Sequence, residues 1–219
     1  MRVVPAVSIA ISLAALRCAP LLAQTSAPAP YTYSDPLGFS YVVPAAWEVV
    51  DASASLSQEK EKATQSAASE GEKKGIACAQ IGLTARRADP VSVILVETLP
   101  FNCFGQQMTE NDLPGFGTGA TEGLKQSLDI GDAQVSTYSL GAHRLWIERA
   151  PATPKGQPGK HFTVEIACTL LQKAAVCWMT LASDDAALAV FEHGAVTLEA
   201  DQPTPLVPAG AFAASPSKP

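Results

Sequence analysis

Two stretches of sequence, Phe162-Thr-Val-Glu-Ile-Ala-Cys-Thr-Leu170 and Ala175-Val-Cys-Trp-Met-Thr-Leu181, decide the fold. In each stretch an apolar residue recurs at every second position, which is typical of a β-strand with one face in a core. Folded as a hairpin about Gln172-Lys173, the two strands join their apolar faces in the same register that places Cys168 opposite Cys177. A four-residue loop over 171–174 gives the same pairing. We therefore predict an antiparallel strand pair joined by a disulfide bond.

The cysteine count extends this prediction. Besides Cys18, the chain contains four cysteines, and an even number in an exported chain favours disulfide bonds. Cys78 and Cys103 form the second predicted bond, because they lie at the open end of a hairpin formed by 76–86 and 91–99. The alternative is that Cys168 and Cys177 remain free buried thiols, since cysteine packs as a small hydrophobic residue. No Cys/His spacing indicates zinc, so no metal site is expected.

The amino-terminal residues have the pattern of a signal peptide over 1–23. Arg2 precedes an apolar run over 3–16, and Ala23 offers a small residue before Gln24. The run is shorter than the ~20 residues that a bilayer-spanning helix needs. Cys18 opens the alternative of a lipid-modified cysteine, although Arg17 occupies the position where that signal requires a small residue. We predict a periplasmic or secreted protein without a transmembrane anchor.

Composition defines the remaining organisation. Of the 219 residues, 47% are hydrophobic and 16% are charged. This proportion provides enough apolar side chains for a packed core and excludes a wholly disordered chain. Without Arg2 and Arg17, 13 basic residues face 21 acidic residues, a net charge of −8 that disfavours nucleic acid as a partner. The predicted divisions are a flexible leader over 24–30, one α+β domain over 31–199 and a disordered tail rich in Pro and Ala over 200–219.

Further hairpins and helices define the fold class. A third hairpin joins 134–140 to 143–149, with Gly141 as first residue of a type II′ turn. Helices are predicted over 53–74, from the capping box at 109–112 to about 130, and over 184–193. Paired strands interrupted by helices, without a βαβ rhythm, predict a mainly antiparallel sheet with helices packed on it.

The beginning of the predicted domain resembles a known superfamily. Gly38-Phe39-Ser40-Tyr41, followed by Pro44 and Trp47, is similar to the opening of PsbP-like domains, which include extrinsic photosystem proteins and exported bacterial proteins of the DcrB kind. This resemblance implies an α/β/α sandwich, with helices on both faces of an antiparallel sheet. It also implies a binding or assembly role without an identified active site.

Motifs that could indicate catalysis lack their context. The glycines of Gly115-Phe-Gly117-Thr-Gly119 have no strand directly before them, as a dinucleotide-binding turn requires. Ser57-Gln-Glu-Lys60 has the Ser-x-x-Lys spacing of penicillin-recognising enzymes, but their other motifs are missing. No cofactor is therefore expected.

One strand face is the candidate binding surface. Alternation places Arg144, Trp146 and Glu148 on the same side of their strand, and Trp and Arg predominate in binding hot spots. The alternative is that Trp146 lies beneath a helix while the charged groups reach outward. We interpret the chain as an exported, non-enzymatic binding or accessory module for a protein or small ligand of the cell envelope. The alternative function is an extracytoplasmic hydrolase whose nucleophile has no visible motif.

Overall fold

A computed structural model describes residues 29–67, 69–103, 108–199 and 201–212. The predicted signal peptide and most of the leader lie outside these residues. Four helices are present in the described part: α1 Ser53–Ser66, α2 Glu70–Cys78, α3 Leu113–Leu124 and α4 Asp185–Glu192. Twelve strands accompany them: β1 Tyr31–Asp35, β2 Phe39–Val43, β3 Glu48–Val49, β4 Gln80–Arg87, β5 Ser92–Pro100, β6 Leu128–Ile130, β7 Gln134–Leu140, β8 His143–Pro154, β9 Phe162–Leu170, β10 Ala174–Ala182, β11 Ala195–Leu198 and β12 Thr204–Pro205.

The central sheet has eight strands. Seven of them follow the order β3-β4-β5-β10-β9-β8-β6, and the eighth, β7, pairs with the same edge of β8 that β6 does, nearer the start of β8. The hairpin predicted from the two deciding stretches is confirmed: Cys168 lies opposite Cys177, and Ile166 lies opposite Met179. Every residue of β10 is buried, because this strand has neighbours on both edges and covered faces.

A separate apolar core covers each face of the central sheet. Helix α3 packs on one face through Leu113, Phe116 and Leu124. Helix α4 packs on the other face together with a second, smaller sheet. The prediction of a mainly antiparallel α+β fold, with helices on both faces, is confirmed.

The smaller sheet joins the two ends of the domain, a pairing that no local pattern in the sequence indicates. Its strand order is β1-β2-β11-β12, so β2 pairs with β11 across most of the chain. The last strand, β12, falls in the segment predicted to be a disordered tail. Leu206 and Val207, which follow β12, are buried in the core. The structure therefore differs from the tail prediction over 201–212, because these residues complete one core.

Several element boundaries also differ from prediction. The helix expected over 53–74 is two helices, and Ile76 packs on Ala63 where α2 folds back along α1. Residues 76–78 consequently belong to α2 and not to a strand. The helix after the capping box at Thr109 ends at Leu124, and the following Leu128–Ile130 pairs with the extended end of β8.

Both predicted disulfide pairings are present. Cys168 and Cys177 lie side by side on β9 and β10, with their Cα atoms 4.2 Å apart. Cys78 at the end of α2 is bonded to Cys103, with Cα atoms 5.9 Å apart. The second distance lies within the usual range for a cystine, and the first is slightly shorter. The Cys78–Cys103 bond links helices α1 and α2, which together form the helical arm, to the end of β5 in the central sheet.

Candidate functional site

The predicted binding patch faces helix α3. Arg144, Trp146 and Glu148 share one side of β8, but α3 crosses directly above Trp146, which is 4% exposed. A Cβ atom built on Gly117 of α3 would lie 1.7 Å from the indole ring. Glycine is therefore required here by the close approach of helix and sheet, and the indole is not available for binding.

The two charged members of the patch have different surroundings. Glu148 is buried and accepts a hydrogen bond of 3.1 Å from Thr121 of α3. Burial raises the pKa of Glu148, and the bond from Thr121 partly opposes this rise. Arg144 stays half-exposed, with a guanidinium nitrogen 4.0 Å from Glu110. The structure thus places the three residues on one face but leaves only Arg144 at the surface.

Substituting Gly117→Ala is expected to lower the free energy of unfolding by about 1–3 kcal/mol, because the added methyl group overlaps a buried indole that has no room to move. Gly115→Ala is the matched control in the same helix, since a Cβ there meets nothing within 4 Å. Alanine forms helix better than glycine, so this control is expected to gain up to about 1 kcal/mol. Urea unfolding of both variants measures the difference; equal stabilities would contradict the close packing.

An ionic cluster lies on the opposite face of the sheet. Arg149 of β8 donates from Nε to Glu165 of β9 at 2.6 Å and from a terminal nitrogen to Glu192 of α4. The Glu165 side chain is fully buried, and its second oxygen has no hydrogen-bond partner. Burial raises the pKa of Glu165, while Arg149 opposes the rise. The Arg149 guanidinium therefore binds two carboxylates, those of Glu165 and Glu192.

The C-terminal segment, residues 201–212, covers this cluster. The ring of Phe212 lies under the Arg149 guanidinium, with 4.2 Å between the ring centroid and the central carbon. Tyr138 of β7 donates to the carbonyl of Leu206 at 2.7 Å, and Ser136 donates to that of Ala211. The cluster contains the residue types of an acid–base pair. Because the protein's own C-terminal segment covers it, a structural role is favoured.

A second buried carboxyl group belongs to Glu97 of β5. It is 2% exposed, one of its oxygens has no hydrogen-bond partner, and it lies opposite Cys177 in the sheet. Burial raises the pKa of Glu97 to about 8, and the nearby Lys60 charge opposes the rise. The Lys60 ammonium is itself held by the carbonyls of Ala77 and Ala79 at 3.2 and 2.6 Å.

The remaining sequence motifs also have structural surroundings. Ser57 donates to the carbonyl of Ser53 one turn earlier in α1, and Lys60 binds the end of α2. The glycines at 115, 117 and 119 lie within α3. Among the described residues, His, Cys, Asp and Glu side chains do not form a group of three that could hold a metal ion.

A small cavity of about 170 Å³ opens beside the β7–β8 turn. Gly141, whose φ is +55°, and Asp201 line it together with Leu140, Leu198, Gln202 and Thr204. One carboxylate oxygen of Asp201 is buried without a partner. The cavity is small for an organic ligand, because ligand pockets usually measure about 300–1,000 Å³.

Strand β7 is a further exposed surface, which no motif in the sequence indicates. It lies at the edge of the central sheet, and its residues Gln134-Val-Ser-Thr-Tyr-Ser-Leu140 include no charge and no proline. Val135 is 56% exposed. The lack of charge is visible in the sequence, but the position at an edge depends on strand order, which local patterns do not specify.

Comparison with solved structures gives a distant similarity in fold. No protein-family profile matches the chain, and no curated protein matches it. The structure is similar to the solution structure of cyanobacterial PsbP (CyanoP) from Synechocystis sp. PCC 6803, with a TM-score of 0.39 and 12% identity over 74% of this chain and 84% of that chain. This weak likeness has no bearing on ligands or partners. No comparison supports the narrower resemblance to proteins of the DcrB kind.

Proposed function

We propose that this chain is an exported accessory or binding module of the cell envelope, which acts through its surface without catalysing a reaction. The observation on which the proposal rests is the pairing of all four cysteines in the described residues, Cys78 with Cys103 and Cys168 with Cys177. Two disulfides in one domain fit an oxidising compartment, where such bonds form and persist. The signal pattern over 1–23 supports the same location.

Three carboxyl groups whose composition could suggest acid–base chemistry are enclosed by the protein itself. Glu165, Glu97 and Glu148 are each buried within the protein's own packing, beneath the C-terminal segment, the helical arm or α3. These side chains cannot reach a substrate in this conformation. No helix in the described part of the chain has the length and apolar character needed to cross a membrane.

Fractionation of cells that produce the full chain tests the location. We expect the protein outside the cytoplasm, with the mass of a chain that begins at Gln24. Alkylation without reductant should add no label to its cysteines. Reduction in denaturant should then expose four thiols. The variant Cys18→Ser is the control for lipid modification, because cleavage after Ala23 removes that residue and leaves the mature mass unchanged. Unprocessed protein in the cytosol, or two labelled thiols per folded molecule, would contradict the proposal.

The binding role requires a separate measurement. A short amine-reactive crosslinker applied to intact cells is expected to link the mature protein into a species of higher mass, which mass spectrometry then identifies. Recovery of only uncrosslinked protein, at a crosslinker level that links a known envelope complex in the same cells, would contradict a binding function.

A further inference from the structure

The outer edge of β7 has unpaired backbone groups. Residues of an antiparallel ladder alternate between pairs that exchange both backbone hydrogen bonds and pairs that exchange none. The two-residue turn at Gly141 makes Leu140 and His143 a bonded pair. Val135, Thr137 and Ser139 therefore direct their N–H and C=O groups away from β8. Within the described residues, no backbone hydrogen bond beyond the ladder reaches these three.

The two ends of the central sheet are protected differently. Strand β3, at one end, has two residues, and its Glu48 forms an exposed ion pair with Arg86 at 3.0 Å. Short edge strands and charged side chains prevent pairing with other chains. Strand β7, at the other end, has seven uncharged residues that include Val135, Thr137 and Tyr138. These residue types favour extension of a sheet, so the unprotected edge indicates a surface that pairs.

We propose that β7 pairs with β7 of a second copy of this chain, in an antiparallel arrangement with its two-fold axis at Thr137. Thr137 then lies opposite Thr137 of the second copy, and Val135 lies opposite Ser139. The three outward-facing residues of one strand and the three of the other form about six backbone hydrogen bonds in total. The pairing joins the two central sheets into one continuous sheet.

The side chains of β7 are compatible with themselves in this arrangement. Val135, Thr137 and Ser139 are all exposed on one face of the sheet, and each is small or β-branched. Like charges opposite each other destabilise a strand pair, and here none meet. On the other face Ser136 and Tyr138 already bind the C-terminal segment, so the new contact leaves that segment in place. The inference concerns the purified chain and does not depend on the proposed function.

Analytical ultracentrifugation of the processed, oxidised protein across micromolar concentrations tests the pairing. We expect a monomer–dimer equilibrium for the native sequence. Thr137→Lys should weaken it by at least about tenfold, because two ammonium groups then meet at the axis. Thr118→Lys, at an exposed site on α3, is the matched control and should dimerise normally. A monomer at every concentration, which would leave the edge to a different partner, overturns the proposal.

Two further measurements make the test specific for β7. A mixture of Thr137→Lys and Thr137→Glu chains should regain dimerisation, because only a two-fold axis at this residue brings the opposite charges together. Hydrogen exchange should show concentration-dependent protection at the amides of Val135, Thr137 and Ser139. A dimer that persists in Thr137→Lys alone would place the interface elsewhere and overturn the assignment. Circular dichroism of each variant verifies that it folds.

Discussion

Replacing Arg149 with methionine is expected to lower the free energy of unfolding by about 3 kcal/mol at pH 8. The substitution leaves Glu165 without the cation that offsets its burial, and breaking a buried ion pair from one side costs about 3–5 kcal/mol. The lower end of this range applies because the Arg149 side chain is 28% exposed. Methionine keeps most of the apolar stem, so the loss reports mainly on charge.

Two variants complete the measurement by urea unfolding. Arg144→Met, on the same strand, removes an exposed ion pair and should change stability by less than about 1 kcal/mol. Adding Glu165→Gln to Arg149→Met should recover at least half of the loss, because the buried group can no longer ionise. A stability of Arg149→Met equal to that of Arg144→Met would show that the cluster contributes nothing specific.

Substituting Glu97→Gln is expected to change how stability depends on pH. The folded-state pKa of Glu97 is about 8, above the ordinary 4.5, so the folded protein holds this proton more tightly than the unfolded chain. The stability that this group contributes is fully present below pH 4.5 and is lost as the pH rises toward 8. Between pH 5 and pH 9 the native protein should lose about 3–4 kcal/mol through Glu97, and the glutamine variant should not.

Urea unfolding at both pH values, with the disulfides intact, measures this difference. The variant and the native protein should be similarly stable at pH 5, whereas the variant should be the more stable at pH 9. Some pH dependence remains in the variant, because Glu165 shifts in the same direction. Glu70→Gln, at an exposed site on α2, is the control and should leave the dependence unchanged. Parallel curves for the native protein and Glu97→Gln would refute the assignment.

Local sequence patterns predicted much of the fold, because the residues that form each hairpin are close to one another in the sequence. The alternation around Cys168 and Cys177 specified the register of β9 and β10, and Gly141 specified the turn between β7 and β8. Both signals depend on residues that are close in the sequence. The antiparallel α+β class followed from such hairpins without any knowledge of strand order.

The features that were missed depend on residues distant in sequence. Proline-rich residues after 200 are typical of a tail, yet Leu206 is buried because β11 provides a partner for β12. The sequence left two positions open for Trp146, at the surface or beneath a helix, and the structure has α3 directly above it, close enough to require Gly117. Arg149, Glu165 and Glu192 lie on three elements, so no spacing in the sequence indicates that they meet.

The smaller sheet has a consequence for how the chain is made. Strands β1 and β2 are synthesised before the other strands, yet β2 gains its second neighbour, β11, only after about 150 further residues have been added. Residues 204–212, which are synthesised after β11, then close over Arg149. A nascent chain therefore keeps apolar strand surface uncovered until residues 204–212 have been synthesised, and a product shortened by a premature stop before 204 would lack the cover for that core.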